Sequence, residues 1–122
     1  MADSITTVGE LREAVDAFVA ERNWYQFHNA KDLAISISLE ASELLEEFQW
    51  LDAGQVAAAS ADPEARERVR FELADILVYC LCLSNALGLD VSDAVLEKLK
   101  VAGQKYRRED YQGKARRPGD RG

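Results

Sequence analysis

Leu11, Val15 and Phe18 recur at helical spacing behind Thr7, and Glu10 stands three residues after that threonine, where a capping box places its acid. The pattern predicts a first helix over residues 8–22. Residues 23–29, NWYQFHN, break the period and crowd four ring side chains into a short connection, which is costly to order unless the rings do something there. Asn29 can cap a second helix with Asp32 in its first turn, and the apolar period continues to Leu51, until Asp52 and Gly54 interrupt it. Residues 55–62 are alanine-rich and read as marginal. Asp62 and Pro63 then supply a cap and a first-turn proline for a third helix ending near Leu87, before Gly88. Asp90 can cap a fourth, with Asp93 three residues on, extending through Leu99 to Tyr106 or Arg108.

No strand period, internal repeat or glycine-rich phosphate loop interrupts this helical reading. Four helices with short connections predict an all-α chain folded as a four-helix antiparallel bundle. The expected domain covers residues 1–112. Residues 113–122, GKARRPGDRG, offer no apolar anchor and read as a flexible basic tail.

The 122 residues fit a single domain, so a site for a large ligand would call on a second subunit. With 48% hydrophobic and 30% charged residues the composition is that of a soluble globule. The longest mainly apolar run, residues 76–83, falls well short of a bilayer span, and the first eight residues lack the basic and long apolar regions of a secretory signal. A net charge of -7 argues against a protein that grips nucleic acid, and it admits a polyanionic ligand only with metal ions between. Cys80 and Cys82 point about 200° apart around their helix, so they read as buried reduced thiols in a cytoplasmic setting.

On a wheel of the second helix with Glu40 at zero, Leu33, Leu44 and Leu51 fall at about 20° to 40° and Ile37 at about 60°, while Glu47 and Glu43 fall at about -20° and -60°. The glutamates border the apolar stripe instead of opposing it. With Glu72 of the third helix at zero, Val69, Ile76, Leu83 and Leu87 occupy about 20° to 60°, Tyr79 lies near about -20° and Asp75 near about -60°. Two helices thus carry acidic pairs at i,i+3 on the shoulder of their apolar seams, Glu40/Glu43 and Glu72/Asp75. If the helices are neighbours, four carboxylates converge, and they repel one another unless countercharged. Hard oxygen ligands suit Mg²⁺, with Mn²⁺ as a substitute. A diiron centre would need a Glu-x-x-His motif on each of two helices, whereas the single histidine, His28, precedes the helix. Surface or intersubunit salt bridges are the bland alternative for the same glutamates. Glu46 points nearer the polar side, and Glu47 could assist a metal or meet solvent.

LEASELLEEFQW (residues 39–50) followed by ELADILVY (residues 72–79) resembles the all-alpha nucleotide pyrophosphohydrolases of the MazG-like superfamily, and within it the small dCTP-pyrophosphatase branch. The family pattern, ExxE, a spacer and ExxD, is matched by Glu40, Glu43, Glu72 and Asp75, and the aromatic segment before the second helix by Trp24, Phe27 and His28. The resemblance implies that the four acids hold Mg²⁺ and carry the catalysis, that Trp24, His28, Trp50 and Tyr79 surround base and sugar, and that Lys98 faces the phosphates. Lys31, Lys105 and Arg108 are further candidate countercharges. The match departs at Ala102, where an Asn is expected, and at Tyr106-Arg107, where Tyr-Pro is usual; Gln104 could substitute for the lost amide.

The implied activity is Mg²⁺-dependent hydrolysis of a nucleoside triphosphate to monophosphate and pyrophosphate, with dCTP or a modified pyrimidine dNTP favoured, in nucleotide-pool house-cleaning by a homo-oligomer, dimer or tetramer. The enzymatic alternative is a related phosphoanhydride hydrolase such as phosphoribosyl-ATP pyrophosphohydrolase. The non-enzymatic one is a helical adaptor whose acidic seam pairs with a basic partner.

Overall fold

A computed structural model describes residues Met1–Ala115, so most of the predicted basic tail lies outside the described residues. Each of the five longer helices starts where a side chain satisfies one of its first free amides. Thr7 and Glu10 form the reciprocal capping box that opens α1 (Val8–Glu21). Asn29 accepts from the Asp32 amide at 2.9 Å at the start of α2 (Ala30–Glu46). Asp62 accepts from the Ala65 amide at 2.9 Å ahead of Pro63, opening α4 (Pro63–Leu87), and Gly88 ends that helix in the left-handed conformation, φ 65°. Asp90 accepts from Asp93 at 2.8 Å to open α5 (Val91–Lys105), and a single short turn, α6 (Arg108–Tyr111), follows.

Two boundaries differ from the expectation. The second helix ends at Glu46 instead of Leu51, and the chain tightens into i→i+3 turns through Leu51. The residues read as marginal form α3 (Ala53–Ala61). Both changes have one cause. Asp52 and Gln55 build a second reciprocal capping box, with amide contacts of 2.8 and 3.0 Å, which requires extended backbone at Asp52. The alanines behind it are the best helix formers available. The described residues therefore hold five helices of nine or more residues where four were expected, all of them α.

The chain divides into two compact units, Met1–Gly88 and a second beginning at Leu89. In the first, α4 is the central element and packs most extensively on α2, then on α1 and α3. Val19 of α1, Leu33 of α2 and Cys82 of α4 form the buried core, with Val15, Tyr79 and Leu83 packed against it. Leu33 shares that core with Cys82 while Glu47 meets Arg68, so α2 and α4 run antiparallel. Arg12 and Asn85 clip α1 to α4 reciprocally: Arg12 Nε donates to Asn85 Oδ1 at 3.0 Å and Asn85 Nδ2 to the Arg12 carbonyl at 3.2 Å. Both cysteines are free thiols, Cys82 buried and Cys80 partly so. No single described helix is long and apolar enough to cross a membrane.

Candidate functional site

Antiparallel packing of α2 on α4 brings the acidic shoulders of the two helices face to face. One carboxylate oxygen from each of Glu40, Glu43 and Glu72 lies within 4.8 Å of the others. Glu40 and Glu72 are partly buried and Glu43 is exposed. Asp75 is not among the three whose oxygens meet, but its charge acts on both Glu40 and Glu72 from the next turn of α4. Three of the four acids singled out by periodicity, Glu40, Glu43 and Glu72, thus gather at one place.

Among the described residues, Glu40 Oε2 and Glu72 Oε2 are buried without a hydrogen-bond partner. A buried carboxylate oxygen with nothing to accept from is unfavourable, and hydrogen-bonded partners are the rule. Desolvation raises the pKa of Glu40, followed by the adjoining Glu43 carboxyl and the charges of Asp75 and Glu72. The same order of causes acts on Glu72: desolvation first, then Glu43, then the charges of Asp75 and Glu47. The centre therefore resists holding its full negative charge without a counterion. Three converging hard oxygens, two of them on half-buried side chains with unsatisfied atoms, form a candidate cluster for a divalent ion.

Beside this cluster, an open cavity of about 470 Å³ runs between α1, α4 and the ring-rich connection. That is nucleoside-scale space. Trp24, His28, Asp75 and Tyr79 line it, together with Val15, Phe18, Val19 and Cys82. Asp75 is the member of the acidic set that reaches the cavity wall, so the two features adjoin. The connection is folded to make this possible. Asn23 adopts positive φ, 51°, reversing the chain after α1 so that the Trp24 amide donates back to the Val19 carbonyl at 3.1 Å. A 3-10 turn over Tyr25–Phe27 then presents His28. The Trp24 ring meets Phe18 edge to face at 5.7 Å, and the Arg22 guanidinium lies 3.7 Å from the centre of the Phe18 ring.

The remaining predicted residues lie on other elements. Trp50 is 85% exposed in the turn after α2 and does not line the cavity. Lys98 is exposed on α5, in the second unit, as are Lys105 and Arg108 beyond it; Lys31 is exposed in the first turn of α2. Phe18 and Cys82, which the sequence presents as an apolar repeat and a core thiol, both line the cavity. Their signal was available only for Phe18, whose spacing sets it one turn before the ring-rich connection.

The chain belongs to the MazG-like family, whose model matches residues 35–120. That span contains both acidic pairs and begins after Trp24 and His28. The chain is also similar to dCTP pyrophosphatase 1 of Homo sapiens, 33% identical over 100 residues, and of Rattus norvegicus, 32% identical over the same length; each match covers 82% of this chain and 59% of the relative. The chain thus spans about three-fifths of the length of those curated relatives. Among solved structures it resembles a pyrophosphatase from Archaeoglobus fulgidus, with a TM-score of 0.74 and 33% identity over 81% of this chain and 91% of that one.

Proposed function

We propose that the chain is a Mg²⁺-dependent nucleoside triphosphate pyrophosphohydrolase, with a pyrimidine deoxynucleotide such as dCTP as substrate. The observation that carries this reading is the meeting of Glu40, Glu43 and Glu72 oxygens beside a ring-lined cavity reached by Asp75. The pyrophosphatase names of its relatives support the reaction class, and the dCTP pyrophosphatases support the base.

Glu40, Glu43, Glu72 and Asp75 would hold Mg²⁺, with Mn²⁺ as a substitute. When bound, the ion offsets phosphate charge and acidifies the attacking water. Trp24 and Tyr79 present ring faces and edges to a base, and His28 offers ring nitrogens for hydrogen bonds to base or sugar. Seating the nucleoside there directs the triphosphate toward Asp75 and the glutamates. One of the glutamates accepts the proton of the water that attacks the α-phosphorus; the bond to the β-phosphate oxygen breaks, yielding monophosphate and pyrophosphate. Lys98 is the proposed countercharge for the phosphates.

A homo-oligomer, dimer or tetramer, accounts for the apolar surface left open on the central helices: Ile35, Leu39 and Leu45 of α2 and Phe71, Leu73 and Leu77 of α4 are all exposed in the single chain. It would also give Trp50 a place against substrate or subunit.

The test is pyrophosphate release from a panel of standard and modified dNTPs, with and without Mg²⁺, by the wild type and by Glu43→Ala and Asp75→Ala. Metal-dependent release that falls at least about a hundredfold in both variants is expected, since these carboxylates would hold the ion that offsets charge on the reacting phosphates at the transition state. Activity unchanged in both variants would remove the site.

A further inference from the structure

Glu47 follows Glu43 by one helical turn at the end of α2, and Arg68 precedes Glu72 by one turn in α4. Because the helices run antiparallel, the two residues meet: Arg68 Nε donates to Glu47 Oε2 at 3.1 Å. Glu47 is the inner partner, its side chain 19% exposed, and Arg68 the outer one, 57% exposed. Glu47 lies on the same stripe of α2 as Glu40, about 20° from it around the helix, and its charge is felt at Glu72. An acid at that depth, next to three carboxylates whose oxygens already converge, would join them around an ion if nothing held it.

We propose that Arg68 is a positioning residue that holds Glu47 out of the divalent-metal ligand set, limiting that set to Glu40, Glu43, Glu72 and Asp75. The inference rests on the metal centre proposed above and adds a constraint on its composition. Affinity for a hard cation rises with the number of charged ligands. A fifth carboxylate would also occupy positions that substrate phosphate oxygens need, strengthening the ground state without helping the reaction. Arg68 therefore keeps the centre weaker and more open than its acid content alone would make it. Arg68 reaches solvent, so the ion pair itself adds little to stability and its loss leaves the fold in place.

The experiment is Mn²⁺ titration of the full chain without nucleotide, followed through the electron paramagnetic resonance signal of free Mn²⁺, with circular dichroism as the fold check. Arg68→Ala is expected to bind Mn²⁺ on the order of tenfold more tightly than wild type, the scale on which outer partners tune metal sites. Arg68→Gln, which keeps the stem, should do the same, and Arg68→Lys should bind as wild type does. Adding Glu47→Gln to Arg68→Ala should cancel the gain, whereas adding Glu46→Gln, which removes the same charge from the exposed neighbouring residue, should preserve it. Unchanged affinity in Arg68→Ala and Arg68→Gln overturns the proposal, and so does cancellation by Glu46→Gln as complete as by Glu47→Gln, since that is bulk charge alone. Wild-type binding that Glu43→Gln does not weaken would bring down the metal centre itself. Normal wild-type binding with an unresponsive Arg68→Ala removes only the role of Arg68.

Discussion

Within one pair of helices, α2 and α4, the contact changes character over a few turns. At the level of Leu33 and Cys82 the two are sealed by apolar packing, with Leu33 2% exposed. At the level of Glu40, Glu43 and Glu72 the same helices press carboxylates together and leave two buried oxygens without partners among the described residues. The first level holds the pair at a fixed distance, and the second uses that distance to hold acids where they would not stay unaided. Strain at a site has to be balanced by a scaffold that over-determines it.

The largest effect should come from breaking the apolar level. Leu33→Ala removes packed methyl groups from the centre of the core and should cost about 2–5 kcal/mol, read from denaturant unfolding. Metal affinity should fall with it, because the acidic level depends on the same spacing; a variant that loses stability and keeps Mn²⁺ affinity would show that the two levels are independent.

A smaller effect is expected where the cavity, not the seam, is altered. Trp24→Ala removes a ring face, and nucleotide affinity should weaken by about 1–3 kcal/mol, the scale of one base–ring stack, with Mn²⁺ binding in the absence of nucleotide unchanged. Isothermal titration with a non-hydrolysable dCTP analogue separates the two readouts.

The smallest effect sharpens the contrast through pH. Glu40 and Glu72 have folded-state pKa values raised above 4.5. On raising the pH the unfolded chain ionises first, so the stability these groups contribute is full below about 4.5 and is lost as pH rises through their folded values. In EDTA the melting temperature should therefore decline above pH 4.5, and the decline should be shallower in a Glu40→Gln/Glu72→Gln variant. Mg²⁺ should flatten the wild-type curve. A wild-type slope in EDTA equal to that of the double variant would mean that the acidic level carries no electrostatic strain.

Much of this was legible along the chain because local chemistry and tertiary packing agree. Thr7, Asn29, Asp62-Pro63, Asp90 and Gly88 mark helix ends through bonds to their own neighbours, and such bonds do not depend on the rest of the fold. The acidic shoulders were visible because periodicity places Glu40, Glu43, Glu72 and Asp75 beside the leucines that must be inside. The end of α2 was not visible: an apolar residue at position 51 continues the period, while the Asp52–Gln55 box that overrides it competes through hydrogen bonds the period does not encode. Cys82 as cavity wall and Arg68 as partner of Glu47 were hidden for another reason. Each depends on which helix lies opposite, and spacing within one helix carries no such information.

If carboxylates from α2 and α4 surround a divalent ion, a crystal structure of the Mn²⁺-soaked protein measured at an anomalous wavelength will locate it. A peak between the two helices, with oxygens of Glu40, Glu43 and Glu72 at about 2.1 to 2.3 Å and Asp75 beside it, is the predicted result. A fully occupied Mn²⁺ bound elsewhere, with these four side chains turned to solvent, would contradict it.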